Sequence, residues 1–156
     1  MHLSDGVADP PGGTRAWAVN NSGAAGQVLA QTIDAPGGYP YCFSVYLRAA
    51  IPATVTISIG GQAFERVVTE GWSRVVCAAT PAAAAESVRF GIEVAGGSTV
   101  DVYGPQVEAQ QGASVYRATT RGGVYLDAHL RDDVFSVTRT GCNRNSCTVN
   151  IIHDHL

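Results

Sequence analysis

The sequence predicts an all-β sandwich. Three observations carry that expectation: short runs of alternating apolar and polar residues recur along the chain, Gly and Pro separate them, and almost nothing has the period of a helix. The one alanine-rich stretch, "PAAAAESVRF", begins at Pro81 and runs directly into an alternating pattern, so it predicts one short turn at most. The candidate strands are 15–19, 27–33, 41–49, 53–59, 62–68, 73–79, 87–94 and 100–107. About eight antiparallel strands joined by Gly- and Pro-rich connections is the count of a jelly roll.

Taken in order, the runs state which side chains face inward. After 15–19 and 27–33, the run "YCFSVYLRA" carries Phe43, Val45 and Leu47 on its apolar phase, which turns Cys42, Ser44, Tyr46 and Arg48 the other way. In "TVTISIG", Val55, Ile57 and Ile59 face inward and Thr54, Thr56 and Ser58 outward. The tip "IGGQ" that follows, at 59–62, suits a hairpin turn with positive φ, and so does "AGGST" at 95–99. Neither is a phosphate cradle, because a P-loop or dinucleotide fingerprint needs its glycines between a strand and a helix. In "SVRFGIEV", Val88, Phe90, Ile92 and Val94 complete the core. The last run, "VDVYGPQVEA", is interrupted by Gly104-Pro105, a step that removes a ladder donor and fits a bulge or an edge. Beyond the kink Val107 returns to the core, and Gln106 and Glu108 share the outward face.

Composition bounds the function. A chain of 156 residues, 46% hydrophobic, is long enough for one domain with a real core and short for two ordinary ones. The net charge of −3 and the absence of any block of like charge exclude the basic field that nucleic acid requires. All ten basic side chains are Arg, which excludes mechanisms that need a lysine amine. The opening "MHLSDGVADPPGG" has neither a cationic n-region nor an apolar h-region, and no run reaches bilayer length. The expectation is a chain without secretion signal or membrane insertion, virion-associated if it derives from a phage.

Four cysteines do not make a disulfide scaffold at this length, and no CxxC pair supports a zinc site. Cys142 and Cys147 flank a polar loop whose ends are placed to meet across a hairpin, and a bridge there is conditional on an oxidising compartment. Cys42 and Cys77 read as small buried hydrophobes. Catalysis finds no support: there is no G-x-S-x-G elbow, the histidines lie at the two ends or in the extension, and the acidic residues single out no pair placed across a sugar ring.

The segments "YPYCFSVYLRAAIPATVTISIGG", "EGWSRVVCAAT" and "RFGIEVAGGSTVDVYGPQVEAQQGASVYRATT" arrive in the order seen in carbohydrate-binding-module-like jelly rolls, and the chain resembles that family over roughly residues 10 to 120. Domains of this kind are common in phage tail and tail-fibre proteins and related bacterial proteins. The similar elements are the aromatic-x-Phe-Ser-Val-x-Leu-Arg-Ala strand, the Trp-x-Arg-Val strand, and a final strand with Gly-x-Gln-x-Glu followed by Tyr116, Thr119 and Thr120. The resemblance implies a non-catalytic glycan- or polysaccharide-binding module of a phage tail or adhesin, with a structural or assembly domain of a virion as the alternative. It also raises a structural calcium site, for which Asp101 is the candidate ligand with Asp5 and Asp9; no other cofactor is implied.

Sugar recognition needs an aromatic face for the apolar side of a pyranose and planar polar groups for its hydroxyls. Tyr46 and Arg48 project outward from one strand, Trp72 and Arg74 share a face of another, and Gln106 and Glu108 complete the expected platform, with Tyr103 and Tyr39 at its rim. The competing reading has Trp72 closing the sandwich end and Arg48 paired with an acid such as Glu108. The domain boundary is expected near 120, and residues 121–156 read as a C-terminal β-hairpin extension. Its Val124, Tyr125, Leu126, Val134, Phe135, Val137, Val149, Ile151 and Ile152 are candidates for homo-oligomer assembly. In the closing "HDHL", His153 and His155 share a strand face, a weak metal-binding pattern at a terminus.

Overall fold

The computed structural model describes residues 1–118 in full and, beyond them, the backbone of four short strands. The chain divides into two compact units, Met1–Arg117 and Ala118–Leu156.

Unit 1 holds nine strands: β1 (His2–Val7), β2 (Ala16–Asn21), β3 (Gln27–Asp34), β4 (Tyr41–Arg48), β5 (Ala53–Ile59), β6 (Gln62–Val68), β7 (Ser73–Ala79), β8 (Ser87–Val94) and β9 (Ser98–Glu108). They form two antiparallel sheets, one of five strands in the order β1-β2-β9-β4-β7 and one of four in the order β3-β8-β5-β6. The fold is the expected all-β sandwich, with one strand more than the sequence announces. The extra strand is β1, whose residues are nearly all exposed, so it carries no apolar phase to read. It is held by backbone pairing to the edge of β2.

The core lies between the sheets and follows the alternation. Phe43, Val45 and Leu47 of β4, with Val19, Val75, Val100 and Val102, meet Val55, Ile57, Ile59, Val88, Ile92 and Val94 from the four-stranded sheet in one buried cluster. The Phe43 and Phe90 rings span the layers, their centroids 5.1 Å apart and tilted by 48°. Fully burying side chains of this size contributes about 1.5–3 kcal/mol each.

Of the two glycine tips, the first is the expected hairpin: Gly60 and Gly61, at φ 57° and 85°, join β5 to β6 in a turn that only a pair of positive φ angles closes. The second is not a hairpin. Although Gly97 has φ 73°, β8 and β9 belong to different sheets, so residues 95–97 carry the chain across the sandwich. A second crossing, at 22–26 between β2 and β3, lies against it, and the Gly97 amide donates to the Gly23 carbonyl at 3.0 Å. Fully buried Asn21 pins both, donating to the carbonyls of Ala25 (2.9 Å) and Val94 (2.8 Å) and accepting from the Gly23 amide. The alanine-rich stretch forms one turn, closed by the Ala85 amide on the Ala82 carbonyl.

In unit 2, β10 (Ala128–Leu130) pairs antiparallel with β13 (Ile151–His153), and β11 (Ser136–Gly141) with β12 (Arg144–Thr148). The register sets Cys147 opposite Val137. Cys142, and with it the Cys142–Cys147 bridge, lies outside the described residues, as do His155 and the side chains of the expected assembly surface.

Candidate functional site

The outward face of the five-stranded sheet gathers the chemistry, and the Gly104-Pro105 step organises it. In β9, Asp101 and Tyr103 point outward; simple alternation would then put Val107 outside and Gln106 inside. Instead Gly104, at φ 60°, bulges the strand, so that Tyr46 opposes Tyr103, Ser44 opposes Gln106, and Val45 faces the extra length. Val107 thereby packs against the core, and Gln106 and Glu108 join the outer face.

Cross-strand rows follow. One runs Ala18, Asp101, Arg48, with Trp72 just before β7 beside Arg48. The next runs Tyr103, Tyr46, Arg74; then Gln106, Ser44, Val76; then Glu108, Cys42, Ala78. All six expected platform residues therefore share this face, but they fall into two groups.

The first group is open. The Arg48 guanidinium lies 4.7 Å from the Trp72 ring centroid and donates through Nε to Asp101 at 2.8 Å. The ion-pair partner of Arg48 is thus Asp101, directly opposite it, and not Glu108, which stands three rows away opposite Cys42. Both side chains are partly exposed, so the pair adds little stability by itself; its effect is to hold the guanidinium over the indole. A cleft of about 230 Å³ adjoins the row, lined by Ala49, Ile51, Pro52, Ser98, Thr99 and Asp101 among others, and Ile51 stands 81% exposed at its lip. Asn20 donates to the Thr99 hydroxyl at 2.7 Å on the same face.

The second group is covered. Residues 109–117 fold back over Tyr46, Arg74, Gln106 and Glu108. The Glu108 carboxylate accepts from the Ser114 amide at 3.1 and 3.2 Å, and Gln106 Oε1 accepts from the Arg117 amide at 3.1 Å. Arg74 bridges sheet and segment, donating to Ser44 Oγ (2.9 Å) and to the Ser114 carbonyl (2.6 Å), with its guanidinium 5.6 Å from the Tyr46 ring centroid. Its Nε is buried without a partner. Tyr116 enters an aromatic cluster, its centroid 5.2 Å from Tyr103 and 6.3 Å from Tyr46. Tyr103 is buried rather than at a rim, while Tyr39 stands 60% exposed before β4.

The sequence reading left Tyr116 and Ser114 out of this site. The missed signal is parity: Asp101 and Tyr103 before the bulge share a face with Gln106 and Glu108 after it, so a segment returning to that face has both rings and acceptors to meet.

Two of the three calcium candidates, Asp101 and Asp9, are engaged by arginine. Asp101 holds Arg48, and the buried Asp9 carboxylate takes the Gly13 and Arg15 amides and the Arg15 guanidinium. Burial works against the Asp9 charge, yet these donors outweigh it and hold the carboxyl below its ordinary range. Among the described residues no three His, Cys, Asp or Glu side chains gather.

Glu108 is lowered from the usual 4.5 by its bonds to Ser114, with Gln106 and the Arg74 charge adding to them. Arg74 on β7 and the thiol of Cys42 on β4, itself pushed up by burial, are the ionisable neighbours. A lowered acid stabilises its contacts fully above its unperturbed value and loses that contribution as pH falls through the lowered one. The Ser114 amide resonance is therefore expected to hold its position above pH 4.5 and to move below it, and to show no such transition in Glu108→Gln. A shift already present at neutral pH would sink the assignment.

No protein-family model matches the chain, and no curated protein does. Solved structures do. A CBM4 carbohydrate-binding module aligns over 62% of this chain and 72% of its own, at 17% identity and a TM-score of 0.55. The CBM22-1–GH10 modules of the Clostridium thermocellum endo-1,4-beta-D-xylanase 10B, complexed with xylohexaose, align over 70% of this chain at 15% identity and a TM-score of 0.56; this chain spans 24% of them. The enzymatically active domain of tailspike protein 4 from bacteriophage CBA120 aligns over 68% of this chain at 11% identity and a TM-score of 0.53, with 17% of its own length covered. At these identities the likeness is one of architecture, and by architecture this chain carries a carbohydrate-binding-module-like jelly-roll domain.

Proposed function

We propose that unit 1 is a non-catalytic glycan-binding module that takes saccharide on the outer face of its five-stranded sheet, in the setting of a phage tail or adhesin. The observation that carries this reading is the open row Trp72, Arg48, Asp101 beside the cleft at Ile51 and Thr99. It pairs an indole with fixed hydrogen-bonding groups, the combination that meets both the C–H face and the hydroxyls of a pyranose. Tyr46, Arg74, Gln106 and Glu108 continue the same face. The shared fold of sugar-binding modules and of a tailspike domain supports the class and the setting. The two outward carboxylates of β9 are each tied to donors, Asp101 to Arg48 and Glu108 to Ser114, which suits recognition rather than proton transfer.

The test is a glycan-array screen of the intact chain, with and without calcium, beside Trp72→Ala and a control on the other sheet, Val67→Ser. Specific binding is expected in the parent and the control, weakened about tenfold in Trp72→Ala, the size of losing one desolvated stacking contact of about 1.4 kcal/mol. Silence of the folded parent across the array would overturn the glycan reading in favour of an assembly domain.

A further inference from the structure

We infer that residues 109–117 are a strap closing a second saccharide platform, formed by Tyr46, Tyr103, Arg74, Gln106 and Glu108, which becomes available when the strap lifts. The inference rests on the glycan reading above.

First, the strap satisfies the platform in the way a sugar would. Tyr116 presents a six-membered ring and a hydroxyl to two tyrosine rings, edge-on to Tyr46 at 83° and inclined to Tyr103 at 61°. The Ser114 and Arg117 amides act as the donors that Glu108 and Gln106 require, a role sugar hydroxyls also fill. The Ser114 carbonyl accepts from Arg74, as a sugar oxygen would. Every one of these platform groups is fixed on β4, β7 or β9 by ladder position, so the platform does not depend on the strap for its arrangement.

Second, the strap is loosely held. It pairs with no strand of the sheet, most of its residues are exposed, and Val115 is 81% exposed. A segment with few buried apolar contacts and exposed hydrogen bonds belongs to the low end of local stability. Arg74 Nε is buried and unpartnered in the closed arrangement, so the strap does not fully satisfy the guanidinium it covers.

Third, the covered platform continues the open row. Arg48 and Tyr46 are two residues apart on β4 and face the same way, a step of about 7 Å along the strand. Lifting the strap lengthens the binding face rather than creating a separate one, so only long oligosaccharides gain. A strap closed about nine-tenths of the time lowers apparent affinity for such a ligand about tenfold, because only the competent fraction binds.

The full chain is compared with Tyr116→Ala, which removes the plug, and Ser114→Pro, which removes the amide that Glu108 accepts while keeping Tyr116. The probes are β-linked xylo- and gluco-oligosaccharides, as disaccharides and hexasaccharides, with hydrogen exchange at Arg117 reporting strap opening without any ligand. Both variants are expected to exchange faster at Arg117 and to bind hexasaccharides about tenfold tighter, with disaccharide affinity unchanged. Faster exchange with hexasaccharide affinity unchanged or reduced would overturn the strap and leave the glycan reading standing. Exchange no faster in either variant would equally overturn it. If the parent and both variants bind no oligosaccharide of either length, the glycan reading fails and the inference falls with it.

Discussion

Phe43→Ala is expected to cost the fold about 3–5 kcal/mol in chemical denaturation of the full chain, the range for truncating a buried aromatic. Phe43, on β4, is 1% exposed and meets the tilted ring of Phe90 across the sandwich, so its removal opens a cavity bounded by both sheets. Phe64 gives the comparison: the same residue type on the same inward phase, but on edge strand β6 and only partly buried. Phe64→Ala is expected to cost about half as much, because part of its surface already meets water. Equal losses for the two would contradict a core centred on β4.

Gly104→Ala is expected to cost about 2–3 kcal/mol, from two separable sources. At φ 60° an L-residue pays for the left-handed backbone, and the added Cβ would stand 2.7 Å from the Tyr116 ring. A double-mutant cycle divides them. In Gly104→Ala/Tyr116→Ala the clash is gone and the backbone penalty of about 1–2 kcal/mol remains, so the losses of the two single variants must not add. Simple additivity, read from thermal or denaturant midpoints, would show that Tyr116 does not rest on Gly104.

Most of the fold was legible because it obeys one period. The runs 53–59, 62–68, 73–79 and 87–94 are strands over those same residues, and β4 and β9 differ only at their ends. Where the reading fell short, the missing information was in the backbone. Residues His2–Val7 carry no alternation, and only pairing to β2 makes them a strand. The "AGGST" tip has the glycines of a hairpin, but whether a turn stays within its sheet or leaves it depends on partners far along the chain.

The face that carries the candidate site was legible for the same reason, and its division was not. Alternation put Tyr46, Arg48 and Arg74 outside, and the break at Gly104-Pro105 put Gln106 and Glu108 there with them, where they are. Which of two nearby acids meets Arg48 depends on row: Asp101 lies directly opposite, whereas Glu108 opposes Cys42. Which segment returns to that face was not legible, because Glu108 and Gln106 accept from backbone amides, and every residue has one of those to offer.

The bulge at Gly104 has an evolutionary corollary. It acts as a frame switch in the strand's two-residue code, so everything downstream reads correctly only while the segment between Tyr103 and Gln106 keeps its length. Pro105 is exposed and its identity is open to drift. Loss or gain of one codon there is another matter, since it would turn Val107 to water and drive Gln106 and Glu108 into the core together. Descendants of this gene are therefore constrained at that point in length more tightly than in letter.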